Sequence, residues 1–253
     1  MRLAYLKKFW TLYQIKAELS YDFLSNPSAL FVGESGTGKS SALKYDICML
    51  LREFPSADLW FLNYKDSKDF RFLKSYSQYF VGVECGKGLE AFYHHYCELR
   101  RTVGEEVQHI TVLIIDEYAA FYLMSMSEDK KLAEKYSRYI AEILMTGRSY
   151  KTACWIATQR ADAQYFAYGS REQFQVKVLL IRGRPSKESL AMLGLSKEEL
   201  QTDCYGVGEG LGYIDGKGLF EVKYPKFSHP AVEGEIIRIL SGSSREAGGG
   251  TES

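Results

Sequence analysis

Gly33-Glu34-Ser35-Gly36-Thr37-Gly38-Lys39-Ser40 follows a short apolar run, Ala29-Leu30-Phe31-Val32, and leads into residues with helical spacing, Leu43, Ile47, Leu50 and Leu51. The pattern G-x-x-x-x-G-K-[ST] between a strand and a helix is a phosphate-binding loop. Each residue type has a physical reason. The three glycines let the backbone wrap around phosphate oxygens where side chains would block the approach. The helix opening near Gly38 contributes unpaired N–H groups and a positive dipole end. Lys39 can reach the β- and γ-phosphates, and the Ser40 hydroxyl can ligand Mg²⁺. These eight residues, with Ser41 behind them, are expected to hold a nucleoside triphosphate.

A second motif lies downstream in Thr111-Val112-Leu113-Ile114-Ile115-Asp116-Glu117. An unbroken apolar run is what a central strand buried on both faces looks like. Carboxylates at its C-terminal end sit at the edge where such sheets bind ligands. Asp116 is expected to hold the Mg²⁺ shell and Glu117 to polarise an attacking water. A carboxylate pair that only ends a strand in solvent is the plainer alternative. Thr152-Ala153-Cys154-Trp155-Ile156-Ala157-Thr158 reads as another strand, ending in Gln159-Arg160. Gln159 fits a sensor of the γ-phosphate, or a strand-end amide in solvent.

Outward from these motifs, residues 58–63, 79–83 and 175–181 read as strands, and 86–101 and 127–145 as helices. Short helices are expected at 187–193 and 197–200. Glycines at 206, 208, 210 and 212 precede a hairpin over 213–222. Alternating strands and helices imply a parallel α/β sheet. Residues 1–26 are expected to form an N-terminal helical extension, a helix or a helix and strand packed on the main domain of 27–240. Residues 241–253, SGSSREAGGGTES, read as a disordered tail.

The 253 residues, 46% of them hydrophobic, suffice for one sizeable core. Lys+Arg and Asp+Glu both total 32, so the net charge is zero. That argues against a monomer that coats nucleic acid by bulk charge, but not against a ring gripping DNA with a few basic residues per subunit. Five cysteines without a C-x-x-C pair read as reduced thiols of a cytoplasmic protein. Cys85, His94, His95 and Cys97 lack zinc spacing, since adjacent histidines on a helix point about 100° apart. Arg2, Lys7 and Lys8 interrupt the first apolar residues, and no run approaches the ~20 residues of a membrane span. Neither a signal peptide nor membrane insertion is expected.

In order and spacing, the motifs resemble the P-loop ATPases of the FtsK/SpoIIIE/HerA type, the DNA pumps with the conjugative coupling proteins, over residues 29–224. Asn63-Tyr64-Lys65 stands where the family has a D-P-K-like element, keeping the lysine and losing the carboxylate. Ile114-Ile115-Asp116-Glu117-Tyr118-Ala119 resembles V-D-E-F-A, Gly147-Arg148 the G-R element, and Ala157-Thr158-Gln159-Arg160 the A-T-Q-R-P stretch without its proline. Arg171-Glu172-Gln173-Phe174, Glu188-Ser189 and Gly208-Glu209-Gly210-Leu211 stand for K-A-N-F, D-S and G-x-G-x-L/M. The departures lie mostly outside the nucleotide site.

The resemblance implies a RecA-like α/β domain, with a mostly parallel central sheet flanked by helices and a C-terminal β-hairpin. It implies ATP and Mg²⁺ bound between the subunits of a homo-hexameric ring. Arg148 would then be the finger that enters the neighbour's site, although a surface arginine at a helix C-terminus is favoured by the dipole anyway. The function implied is an ATP-hydrolysing motor that translocates double-stranded DNA, in plasmid or mobile-element transfer or chromosome segregation. A membrane-anchored or relaxase-type protein would recruit it. Protein export, viral genome packaging and a non-motor nucleotide switch are the alternatives. DNA contacts are expected on pore-facing loops, residues 118–129 and 160–171, the latter carrying Arg160, Tyr165, Tyr168 and Arg171.

Overall fold

In the computed structural model, residues 1–101, 109–183, 185–196 and 205–247 are described. The chain opens with β1 (Arg2–Leu6), α1 (Lys7–Tyr13) and β2 (Glu18–Ser20). The phosphate-loop unit follows as β3 (Ala29–Val32) and α2 (Lys39–Glu53), then β4 (Asp58–Asn63), β5 (Tyr79–Val81) and α3 (Glu84–Arg101). Next come β6 (Thr111–Asp116), α4 (Tyr118–Glu128), α5 (Lys130–Thr146), β7 (Thr152–Thr158) and β8 (Val176–Leu180). The chain continues through α6 (Lys187–Ala191), the hairpin β9 (Glu209–Ile214) and β10 (Gly218–Lys223), and α7 (His229–Ala247).

All ten strands join one sheet in the order β2-β1-β10-β9-β8-β3-β7-β6-β4-β5. From β8 to β5 every pairing is parallel. Beyond β8 the hairpin, β1 and β2 extend the sheet antiparallel. The parallel strands β3, β6, β7 and β8 are buried along their whole length, as their continuous apolar runs require when helices cover both faces. Successive side chains feed alternate cores. Phe31, Val112, Ile114 and Trp155 pack on the α2 and α7 side, and Leu30, Leu113, Ile115 and Ile156 on the side of α3, α4 and α5.

Three segments differ from the sequence reading. Residues 1–26 are not a helical extension alone but one helix between two strands, nearest to the helix-and-strand alternative. Leu3 and Ala4 are fully buried, and β1 pairs with both β10 and β2. This covers the hairpin's outer edge, whose free N–H and C=O groups would otherwise be exposed. Residues 118–128 form α4 rather than a loop, and a new helix starts at Lys130 because Asp129 is extended (φ −155°) and its side chain accepts from Lys131 N. In the segment read as a tail, α7 carries the helix on to Ala247. The helix expected at 197–200 lies outside the described residues, as do the last six residues. No helix among the described residues is long and apolar enough to cross a membrane.

Candidate nucleotide site

The phosphate loop leaves β3 at the carboxyl edge of the sheet, between β8 and β7. Later strands lie on either side of β3, so the crevice where open α/β sheets bind ligands is here. Glu34, Ser35 and Gly36 are exposed at the loop tip. Thr37 is buried, and its hydroxyl donates to Glu34 O at 2.8 Å, which closes the turn. Gly38 caps α2 with φ 93°, and a Cβ there would lie 3.0 Å from Gly208 N. Only glycine fits both the left-handed backbone and that approach. Gly208 N in turn donates to Thr37 O at 2.8 Å, so the glycine-rich entry to β9 braces the phosphate loop. No side chain caps the N-terminus of α2, which leaves its first N–H groups for a ligand. Ser40 and Ser41 are half-buried in its first turn.

The carboxylates arrive from β6. Asp116 is level with Asn63 of β4 and Ala157 of β7. Its Oδ2 accepts from Ser67 Oγ at 3.3 Å, whereas its Oδ1 is buried without a hydrogen-bond partner. Burial pushes the Asp116 carboxyl up to about 6, against the pull of Lys39. A buried carboxylate oxygen left open beside a phosphate loop fits a divalent cation, for which Ser40 would be the candidate second oxygen.

Glu117 has φ 60° and ψ 46°, a left-handed conformation uncommon for a non-glycine residue. This turns its carboxylate back over the site, between two ammonium groups. Lys39 Nζ lies 2.6 Å from Oε1, and Lys65 Nζ lies 2.8 Å from Oε2. Burial would raise the Glu117 carboxyl, and the two lysines overcome that and hold it below the ordinary value.

Register places the other expected residues. Val32 of β3 is level with Thr158 of β7, and Gly33 N donates to Thr158 O at 3.2 Å. Gln159, half-buried, therefore projects from the strand lying between the phosphate loop and the carboxylates. Arg148 does not join this group. It is exposed in the 3₁₀ turn Gly147–Tyr150, ahead of β7, at the sheet edge opposite the phosphate loop.

Of the segment 160–171, only part is exposed. Tyr165 is buried, and its carbonyl accepts from the Tyr118 hydroxyl at 2.7 Å. Arg171 folds back, donating to Ala161 O at 2.9 Å and pairing with Glu172 at 3.1 Å. Arg160 and Tyr168 remain exposed, Tyr168 at 76% and with φ 55°. Two further cations lie at the site that the sequence pattern does not single out. In the sequence Lys65 is only part of the Asn63-Tyr64-Lys65 element. Arg182, just past β8, puts Nη1 3.2 Å from where a Gly36 Cβ would sit. Neither is near the phosphate loop in sequence, and only the strand order brings them there.

No protein-family profile matches the chain, and no curated protein does. Solved structures do. The pCW3 conjugation coupling protein TcpA, in a monomer form with ATPγS, superposes with a TM-score of 0.69 over 88% of this chain and 67% of its own, at 19% identity. EssC (ATPases 2 and 3) from Geobacillus thermodenitrificans gives 0.67 over 92% of this chain and 47% of its own, at 13% identity. The genome packaging NTPase B204 of Sulfolobus turreted icosahedral virus 2, in complex with ATPγS, gives 0.51 over 79% of this chain and 98% of its own, at 17% identity. The chain thus spans about two thirds of TcpA and under half of the EssC segment. At these identities the likeness is one of fold. The chain has the α/β fold, a mostly parallel sheet flanked by helices, that it shares with these three proteins.

Proposed function

We propose that the chain hydrolyses ATP and works as a ring motor on double-stranded DNA. One observation carries the hydrolytic part: Lys39, Asp116 and Glu117 converge at the mouth of a braced phosphate loop. The loop's N–H groups and Lys39 would hold the β- and γ-phosphates. Ser40 and Asp116 would hold Mg²⁺, which when bound neutralises charge on the phosphate oxygens. Glu117 would orient a water and take its proton while the water oxygen bonds to the γ-phosphorus and the bond to the β-phosphate oxygen breaks. Gln159 would contact the γ-phosphate from the neighbouring strand.

Assembly is supported by Arg148. The seven-residue β7 lies between it and Gln159, roughly 20 Å of strand. An arginine on the opposite edge cannot serve its own site, but it can serve that of the next subunit in a homo-hexamer. The fold shared with a conjugation coupling protein and a packaging NTPase supports a DNA cargo. A polypeptide cargo is the second reading. It is favoured by the folded-back Arg171 and buried Tyr165, which leave the 160–171 segment with little to offer a phosphate backbone.

The test is the ATPase rate of the purified chain with no cargo, with double-stranded DNA, and with unfolded polypeptide. Stimulation by DNA that falls steeply with salt supports the first reading. Stimulation by polypeptide alone supports the second, and no hydrolysis in any arm removes both.

A further inference from the structure

The pairing of Glu117 with two lysines has a consequence for the reaction proposed above, on which this inference rests. Lys39 and Lys65 reach different oxygens of the same carboxylate, and they differ in surroundings. Lys39 is 6% exposed beneath the phosphate loop, and Lys65 is 45% exposed on the far side of the carboxylate. When a triphosphate enters, its oxygens compete for Lys39, and Oε1 of Glu117 loses its partner. A carboxylate held by nothing else would swing away from the incoming negative charge.

Lys65 is built to prevent that. Asn63, fully buried, folds residues 63–67 into a fixed turn. Its Oδ1 accepts from Ser67 N at 3.1 Å, and its Nδ2 donates to Tyr79 Oη at 2.8 Å. Asp66 N donates to Asn63 O at 3.2 Å, with Asp66 in the left-handed region at φ 48°. The same turn gives the Asp116 carboxylate a hydrogen bond from Ser67 Oγ. Lys65 therefore projects from a turn anchored to the metal-side carboxylate, at a height set by the pairing of β4 with β6.

We propose that Lys65 is the positioning residue of Glu117. It keeps Oε2 fixed while Lys39 passes from Oε1 to the nucleotide, so that Oε1 becomes the oxygen that receives the water. Lys65 acts through Glu117 and does not bind the phosphates.

The experiment compares Lys65→Met and Lys65→Arg with the wild type and with Glu117→Gln, reading ATP turnover and ATPγS affinity separately. Lys65→Met should lower kcat by about 10²-fold, the scale of a misplaced catalytic group. Its KM for ATP and Kd for ATPγS should stay within about twofold, because no phosphate contact is lost. Lys65→Arg, which still spans to Oε2, should recover most of the rate. In the Glu117→Gln background, Lys65→Met should change the residual rate little, as expected of residues acting as one unit.

A wild-type rate in Lys65→Met would overturn the assignment. So would a weakened ATPγS Kd, or a further large loss on top of Glu117→Gln, since either means that Lys65 acts on the nucleotide itself. Absence of turnover in the wild type would instead remove the ATPase reading, a result distinct from all of these. The half-exposed position of Lys65 lets both variants fold, and matching thermal melts would confirm it.

Discussion

Lys39 is one of the two partners of Glu117, and in the proposed site it would also be the cation that meets the phosphates. Lys39→Ala should weaken ATPγS binding by at least about 1.5–3 kcal/mol, the range of a charge-assisted hydrogen bond. Isothermal titration measures this, and unchanged affinity would contradict the placement of Lys39. Glu117→Gln is the converse case. ATPγS affinity should stay near that of the wild type while turnover falls by about 10²–10⁴, the contribution of a general base. Asp116 adds a pH signature. Its folded carboxyl titrates near 6, above the unfolded value of 3.8, so the folded state binds the extra proton between those pH values. Stability therefore falls as pH rises from about 4 to 6 and stays lower above that. In nucleotide-free and metal-free protein, Asp116→Asn should gain about 2–3 kcal/mol at pH 7.5 and nothing near pH 4. A denaturant series at the two pH values checks it, and an equal gain at both would show that the carboxylate is not desolvated.

At the scale of elements, the phosphate loop depends on the hairpin as well as on α2. Tyr224 follows β10, and its N–H donates to Gly208 O while Gly208 N–H donates to Thr37 O. The Tyr224 hydroxyl donates at 2.8 Å to Asp46 Oδ2 in the middle of α2. Asp46 is fully buried, its other oxygen has no hydrogen-bond partner, and desolvation raises its carboxyl well above the ordinary value. Tyr224→Phe should therefore cost about 1–3 kcal/mol in chemical unfolding, since it strips a buried polar group of its partner. ATPγS affinity should be kept, because the backbone bonds to Gly208 remain. The contacts that make this unit were not legible in the sequence. Its parts were, since the phosphate loop and the strands Thr111–Asp116 and Thr152–Thr158 carry unbroken apolar runs ending in polar residues. Nothing local pairs Gly208 with Thr37 or Tyr224 with Asp46, whose partners lie 171 and 178 residues apart in the chain. Where the five-residue β1 would pair was not legible for a related reason. Its place in the sheet comes from the edge it covers rather than from a pattern of its own.

Across the whole molecule, strand order determines which residues meet. Placing β7 between β3 and β6 brings Gln159 beside the phosphate loop and the carboxylates, and leaves Arg148 on the opposite edge. The proposed site within one chain thus gathers Glu117 as its candidate base, Asp116 as its candidate metal ligand and Lys39 as its candidate phosphate cation, while the candidate arginine finger faces elsewhere. Arg148→Ala should lower kcat by about 10³-fold or more and leave ATPγS affinity nearly unchanged, the behaviour of a contact made in the transition state. The central claim is that the proposed ATPase site is completed by a neighbour, and mixing two inactive variants tests it most directly. Lys39→Ala retains the finger and lacks a working site, and Arg148→Ala retains the site and lacks the finger. The account predicts that ATP turnover reappears when the two are combined, and that wild-type specific activity rises with protein concentration. No recovery in the mixture, together with concentration-independent turnover by the wild type, would contradict it.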